Sequence, residues 1–363
     1  MRNHEGPGER RIRLGLIDGD GIGPEVVSAT RRVVDEALAA AGAAPADWVP
    51  LPIGHAGLAE HGTPLPEPTL DALADLDAWI LGPHDNASYP AEHRIAPGGA
   101  IRKRFELYAN VRPARAFAGV RAAAPDIDLV IVRENSEGFY ADRNMFAGSG
   151  EFRPTEDVAM AVGVVTRAAC ERIAHEAFRL AATRRKHVTV VHKANVLPMT
   201  MGLFRDVCYD VARDYPGIEV DDEHVDATAA HLVRAASDYD VLVTENLFGD
   251  ILSDLAGELS GSLGLAASLN CSATRAMAQA VHGAAPALAG HNRANPAALQ
   301  LSAAMLLHWW GTRHGDQRVR AAGDRIERAI ASAYHAGIAT ADLGGLASTS
   351  EFTEQVCARV HRR

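Results

Sequence analysis

Short, nearly continuous apolar runs alternate along the chain with longer stretches whose apolar residues recur every three to four positions. The first pattern predicts buried strands and the second predicts helices with one buried face. Strands are expected at "RIRLGLI" (11–17), "LDAWILG" (76–82), "DLVIVREN" (128–135), "HVTVVHK" (187–193) and "YDVLVTEN" (239–246). Helices are expected at "GPEVVSATRRVVDEALAAAG" (23–42), opened by Pro24 and closed by Gly42, and at "AVGVVTRAACERIAHEAFRLAAT" (161–183). A third is expected at "NPAALQLSAAMLLHWW" (295–310), with Pro296 at its start. The Pro- and Gly-rich segment 82–99 reads as a loop. Strand and helix alternate, so the fold class is α/β.

Composition narrows the function classes. The 363 residues suit two modest domains or one large one, and 47% hydrophobic with 23% charged residues is ordinary for a globular protein. A net charge of −10 argues against nucleic-acid binding. Cys170, Cys208, Cys271 and Cys357 lie far apart with no CxxC, which predicts reduced thiols and a cytoplasmic setting. The N-terminal segment is polar, and no apolar run approaches the roughly 18 residues that would span a membrane.

Several strands end in polar residues: Arg133–Glu134–Asn135, His192–Lys193 and Glu245–Asn246. In open α/β sheets, sites form at the carboxyl ends of strands. The turn "DGDGIGPEVV" (18–27) places Gly19, Gly21 and Gly23 between a strand and a helix, but Pro24 stands where GxGxxG needs its last glycine. A phosphate-binding turn and a plain tight turn both remain open. Arg102, Arg112 and Arg133 offer guanidinium forks that read carboxylates. Surface charge is the usual fate of an isolated arginine, but Arg133 ends an apolar strand and needs an anionic partner. Lys193 at a strand end is a candidate proton-transfer group, with ordinary exposure as the bland alternative. Tyr140 alone would normally be core or surface.

Asp250 and Asp254 lie in "TENLFGDILSDLAGELSG" (244–261) and share a helix face. Acids near a helix start suit its dipole. Two acids amid leucine and isoleucine repel each other, and a hard divalent cation would relieve that. Asp226 in "EHVDATAAHLV" is a further candidate. His192, His224 and His231 show no HExxH spacing, which disfavours zinc.

Together these segments resemble the β-decarboxylating dehydrogenase family: isocitrate, homoisocitrate and 3-isopropylmalate dehydrogenases and their relatives. The matching pieces, in order, are "GDGIGPEVV", "IRKRFELYANVRPAR", "DLVIVRENSEGFY", "VVHKANVLPMTMGLFRD", "VDATAAHLV", "DVLVTENLFGDILSDLAG", "VHGAAPALAG", "NPAALQLSAAMLL" and "DLGG". They span roughly residues 12–357 and look most like the homoisocitrate and isocitrate branches. The resemblance implies two α/β domains around a central cleft, 1–107 with 262–363 and 108–261, a non-Rossmann cofactor site, and a homodimer with shared active sites. It implies that Arg102, Arg112 and Arg133 grip the malate carboxylates. It further implies that Asp250 and Asp254, with Asp226 of the other subunit, hold Mg²⁺ or Mn²⁺, and that Tyr140 and Lys193 move protons with Asp226 beside them. NAD would contact His282, Gly283, Ala285, Ala287, Asn295 and Asn246. The implied reaction is oxidative decarboxylation of a 3-substituted malate.

The sequence departs from the family pattern in both recognition regions. Ala287 stands where NAD-using members carry an acid, and Ala287–Leu288 where NADP-using members carry Lys–Tyr. NAD is expected from "ADLGG" (341–345), with Arg293 or His291 as groups for a 2′-phosphate. Gln279 replaces an acid before "VHG", and Glu245 is a candidate to compensate. Gly98 and Gly99 ahead of Arg102 predict an enlarged substrate pocket, with His93 and Arg94 near an anionic C3 substituent. A homoisocitrate-like carboxylate or a phosphonate is therefore expected. Tartrate, malate or 3-isopropylmalate chemistry and a catalytically silent subunit are the alternatives.

Overall fold

A computed structural model describes residues 11–93, 95–140, 145 and 148–362. Arg94, expected near the substrate, lies outside the described residues. The strands are β1 (Arg13–Ile17), β2 (Asp47–Pro50), β3 (Ala78–Leu81), β4 (Ala109–Arg115), β5 (Asp128–Glu134), β6 (Glu151–Thr155), β7 (Val158–Ala161), β8 (His187–His192), β9 (Glu219–His224), β10 (Val241–Thr244), β11 (Leu269–Cys271) and β12 (Ala276–Gln279). The helices are α1 (Gly23–Ala40), α2 (His55–His61), α3 (Glu67–Ala74), α4 (Pro97–Arg104), α5 (Arg167–Ala181), α6 (Thr200–Ala212), α7 (Val225–Ala235), α8 (Asn246–Leu259), α9 (Ala297–His314), α10 (Gln317–His335) and α11 (Thr349–Val360).

Ten strands form one mixed sheet in the order β2-β1-β3-β12-β11-β4-β5-β10-β8-β9. β2, β1, β3 and β12 form one parallel block, and β5, β10, β8 and β9 form another. Antiparallel β11 and β4 join the two blocks. The first block and β11 come from residues 13–81 and 269–279, and the rest from 109–244. β6 and β7 form a separate exposed hairpin.

The alternation along β5 decides which side chains meet which helix. Val130 and Val132 enter the larger core with α5, α9 and α10, while Leu129 and Ile131 enter a second core with Leu252 and Leu232 of α8 and α7. Successive side chains on a strand point to opposite faces, so Arg133 continues the Leu129–Ile131 row beneath α8. On β4, which pairs antiparallel with β5, Ala114 lies in that second core, and Asn110 and Arg112 fall in its row.

The differences from expectation have local causes. The helix expected from 161 begins at Arg167: Val158–Ala161 pair with β6 instead, and the Thr166 hydroxyl caps α5 by accepting from the Ala169 amide at 3.2 Å. The 82–99 loop holds two 3₁₀ turns and ends where Pro97 opens α4. β10 stops at Thr244 because Glu245 turns into the N-cap of α8, accepting from Leu247 N at 3.0 Å and Phe248 N at 2.7 Å. β9, "EVDDEH", was hidden by its charge, which suits an edge strand.

Candidate active site

Arg112 and Arg133 emerge side by side beneath α8 and are almost fully buried. Their partners are the polar residues of that helix. Arg133 donates through Nε and Nη2 to Asn246 Oδ1 at 2.9 and 2.7 Å, and through Nη1 to Asp250. Arg112 Nη1 reaches Asp250 Oδ1 at 3.1 Å and Ser253 Oγ at 2.6 Å, and Asp254 lies 3.7 Å away. Gly249 permits this approach: a Cβ there would stand 2.6 Å from Arg133 Cγ. Tyr140 donates its hydroxyl to Asp250 Oδ2, and the Arg133 guanidinium lies 5.1 Å from the centre of its ring.

Charge is shared tightly here. Burial would raise the Asp250 pKa, but Arg133 and Arg112 outweigh it and hold the carboxyl below its ordinary range. Asp254 moves the other way, raised by burial and by Asp250 beyond what Arg112 offsets. Burial and the neighbouring Arg133 lower Arg112 to about 10. Burial raises the Tyr140 phenol, which keeps its proton at neutral pH.

Arg102 on α4 lies within electrostatic reach of Asp250 and donates from Nη2 to Gln279 Oε1 at 2.8 Å. The structure therefore gathers Arg102, Arg112, Arg133, Tyr140, Asp250 and Asp254. Lys193 and Asp226 lie elsewhere, joined to each other by an ion pair after β8 and in the first turn of α7. Among the described residues no three metal-binding side chains of this chain cluster.

The other strand-end groups hold the scaffold. Glu134 accepts from the amides of Ser136 and Glu137, Asn135 bridges Leu107 O and Asn270, and His192 binds Asp222 and the Ala194 amide. Glu245 is committed to capping α8 and does not stand in for the acid missing at Gln279. Asn246 gives its oxygen to Arg133 and its Nδ2 to Glu137 O, and so helps to position that arginine. Gly98 does not enlarge a pocket as expected: a Cβ there would lie 2.8 Å from His84 Cε1 and 3.3 Å from Gln279 Nε2. Gly99 is half-buried on the same helix, and His93 is half-buried in the turn before it.

A second concavity of about 630 Å³ lies between the glycine turn and the loops at 262–264, 282–295 and 341–342. His282, Gly283, Ala285 and Asn295 line it as expected, whereas Ala287 and Asn246 do not. The glycine turn serves packing as well as access. Gly19 and Gly21 have φ of 71° and 58°, Ile22 N donates to Ala284 O at 2.9 Å, and the Ile22 side chain lines the cavity. Asp20 ties the turn down by accepting from His55 N, Asp85 N and Tyr89 OH. Asp342 accepts from Ser262 Oγ and Asn295 Nδ2, each at 3.0 Å, so "ADLGG" delivers a carboxylate to the cavity. His282 Nε2 is buried without a partner among the described residues, and burial lowers its pKa. A neutral ring nitrogen left open beside a cavity fits a nucleotide base as its partner.

A mixed ten-stranded sheet here carries a cluster of arginines, a tyrosine and paired carboxylates, the architecture of an α/β protein with a charged cleft. The match to the isocitrate/isopropylmalate dehydrogenase family model covers residues 13–356, and the chain belongs to that family. It is 44% identical over 350 residues to the isocitrate/homoisocitrate dehydrogenase of Thermus thermophilus, covering 95% of this chain and 97% of that one. It is 39% identical over 353 residues to the 3-isopropylmalate/3-methylmalate dehydrogenase of Methanocaldococcus jannaschii, covering 96% and 98%. The isocitrate dehydrogenase structure from Methylococcus capsulatus superposes with a TM-score of 0.86 at 39% identity, covering 97% and 100%. The protein is thus a dehydrogenase that oxidises the CH–OH group of a hydroxy acid with decarboxylation.

Proposed function

We propose that the substrate is a 3-substituted (R)-malate with an anionic C3 substituent, a homoisocitrate-like carboxylate or a phosphonate, and that the hydride acceptor is NAD. The observation that carries this reading is the convergence of Arg102, Arg112 and Arg133 around Asp250 and Tyr140. Three guanidinium groups in one cleft match a substrate with three anionic groups. Asp342 at the cofactor cavity disfavours a 2′-phosphate, while Arg293 on its wall is the group that would favour one. Among the described residues no helix is long and apolar enough to cross a membrane. The cytoplasm is the proposed setting.

The donors fit a hard divalent cation. Asp250 and Asp254 press two carboxylates onto one helix face, and Asp254 is raised by burial with Asp250 adding to it. Asp226 is exposed, and a second copy can present it. Mg²⁺ or Mn²⁺ would be held by Asp250 and Asp254 with Asp226 of that copy, and when bound supplies Lewis-acid polarisation of the substrate oxygens. Exposed Val233 and Ile251 on α7 and α8 support a homodimer through those helices. The arginines hold the malate carboxylates. Lys193 of the second copy, once its amine is neutral, would accept the hydroxyl proton, and NAD when bound would supply the hydride acceptor. Tyr140, kept protonated, returns a proton to the carbon from which CO₂ departs.

Nicotinamide reduction by the purified protein tests the reading. The panel is isocitrate, homoisocitrate, a phosphonomethylmalate, 3-isopropylmalate, malate and tartrate, with NAD⁺ or NADP⁺, and with Mg²⁺ or EDTA. Metal-dependent turnover of an oxyanion-bearing malate with NAD⁺ is expected. Preference for 3-isopropylmalate overturns the substrate, and preference for NADP⁺ overturns the cofactor.

A further inference from the structure

Lys193 stands on the loop between the end of β8 and the start of α6. Loops are the more mobile parts of a fold, so a proton acceptor placed on one needs a device that aims it. The residue before it is the first candidate. His192 is the last residue of β8 and its ring is buried. Side chains alternate along a strand, so His192 continues the row of Val188 and Val190, which share the larger core with Phe204, Val207 and Cys208 of α6. Both ring nitrogens are bonded. Nδ1 accepts from the Ala194 amide at 3.0 Å, and Nε2 lies 2.8 Å from Asp222 Oδ2. An amide only donates and a carboxylate only accepts, so the proton sits on Nε2 and Nδ1 is bare.

Asp222 is held in turn. Burial would raise its pKa, but Tyr209 and His192 outweigh it and keep the carboxyl below its ordinary range. Its second oxygen accepts from the Tyr209 hydroxyl on α6 at 2.6 Å. Asp222 therefore reaches both ends of the Lys193 loop, β8 through His192 and α6 through Tyr209. Inside the loop, the amides of Val196 and Leu197 donate to Lys193 O at 3.1 and 2.9 Å. Both polar atoms of the Lys193–Ala194 peptide are thus committed, which fixes the plane from which the lysine side chain departs. On β9, His224 pairs with His192 in the register, with its ring edge-on at 5.4 Å, and Asp226 follows it. The strand ends that carry Lys193 and Asp226 are joined at their last pair.

We propose that His192 is a positioning residue for Lys193: oriented by Asp222, it grips the Ala194 amide and so aims the lysine amine. This inference rests on the reading of Lys193 as the proton acceptor and adds the device that sets its direction. His192 moves no proton itself and acts only through the lysine.

The test uses His192→Leu, His192→Asn and Asp222→Ala in the full-length enzyme with its metal and NAD⁺, on the malate that the wild type turns over best. His192→Leu removes both bonds and is expected to lower kcat by roughly 10- to 100-fold with KM within about twofold, the scale on which a misplaced group loses rate. His192→Asn keeps an acceptor for the amide two residues on, as an Asx turn does, and is expected to recover part of that loss. Leucine fills the ring's space better than asparagine, so a purely structural role orders the two variants the other way. Asp222→Ala, on an exposed edge strand, is expected to lower kcat by roughly 3- to 10-fold. In a Lys193→Ala background all three changes are expected to alter the residual rate by less than about twofold, because the group they aim is gone. An equal loss in that background, a loss in KM with kcat unchanged, or His192→Leu outperforming His192→Asn overturns the inference. Where a variant of the buried ring does not fold, Asp222→Ala decides by kcat and by the same background. If Lys193→Ala keeps the wild-type kcat, the reading of Lys193 falls and this inference falls with it. If Lys193→Ala is impaired while His192→Leu and Asp222→Ala are not, that reading stands and this inference alone fails.

Discussion

The Asp250 cluster and the Lys193–Asp226 pair carry similar charges in opposite settings. Asp250 touches Arg112, Arg133 and Tyr140, on a helix held over buried arginines. Asp226 is paired with Lys193 among the described residues, and its side chain is 68% exposed. The first group is assembled within one chain. The second is an exposed pair on which no other charged cluster of the described part of the chain closes. The contrast separates residues that shape the cleft from residues that the proposed reading assigns to a second copy.

The largest expected effect falls on the Lys193–Asp226 pair. Lys193→Ala should lower kcat by about 10²–10⁴-fold with little change in KM, because a positioned acid or base contributes on that scale. Asp250→Asn should also be inactive alone. Refolding the two variants together should recover activity that neither shows, since mixed dimers then contain one intact site. No recovery would place Lys193 and Asp250 in the same chain's site.

Stability should respond in the reverse order. Arg133→Ala leaves Asn246 and Asp250 without their buried partner and should cost about 3–5 kcal/mol, read from the denaturant midpoint. Asp226→Asn should leave that midpoint unmoved in moderate salt, because its ion pair is exposed. Gly249→Ala should fall between them, at about 1–3 kcal/mol, since the added methyl meets Arg133 and forces α8 off the sheet. If Gly249→Ala is silent, α8 is not clamped to β5 as closely as described.

Much of the clamped half was legible in the sequence, and the reason is periodicity. The run "DLVIVREN" carried both its strand and the face on which Arg133 falls, and the four-residue spacing put Asp250 and Asp254 together. Three features had no such signal. Gln279 meets Arg102 across 177 residues, a pairing that only the sheet order creates. Gly98 suggested room, while the ring that fills it comes from a loop whose path has no period. Lys193 was named from its place at a strand end and Asp226 as a further acid, but only the resemblance joined them to Asp250, and a single chain places them apart from it. Of the residues expected at the cofactor, His282, Gly283 and Asn295 line the second cavity, while Asn246 bonds Arg133, a contact that appears only once α8 sits on β5.

The smallest effect is a pH dependence, and its sign is fixed by the direction of each shift. Asp250 has its pKa held below the ordinary 3.8, so it contributes stability above that value and loses it as pH falls through its folded pKa. Asp254 is raised, so its contribution runs the other way: present at low pH and lost as pH rises through its folded pKa. The two act in different windows, Asp250 below pH 3.8 and Asp254 above it. Asp250→Asn should therefore flatten the fall in stability below pH 3.8, and Asp254→Asn should remove the loss that sets in as pH rises above it. Asp226 is also lowered, by its bond to Lys193, but water and salt screen it, so its share should vanish as ionic strength rises while that of Asp250 persists. Urea midpoints measured across acid pH at low and high salt check all three. An acid limb unchanged by Asp250→Asn would mean that its arginines hold it no more firmly than Lys193 holds Asp226, and the distinction between the two halves would dissolve.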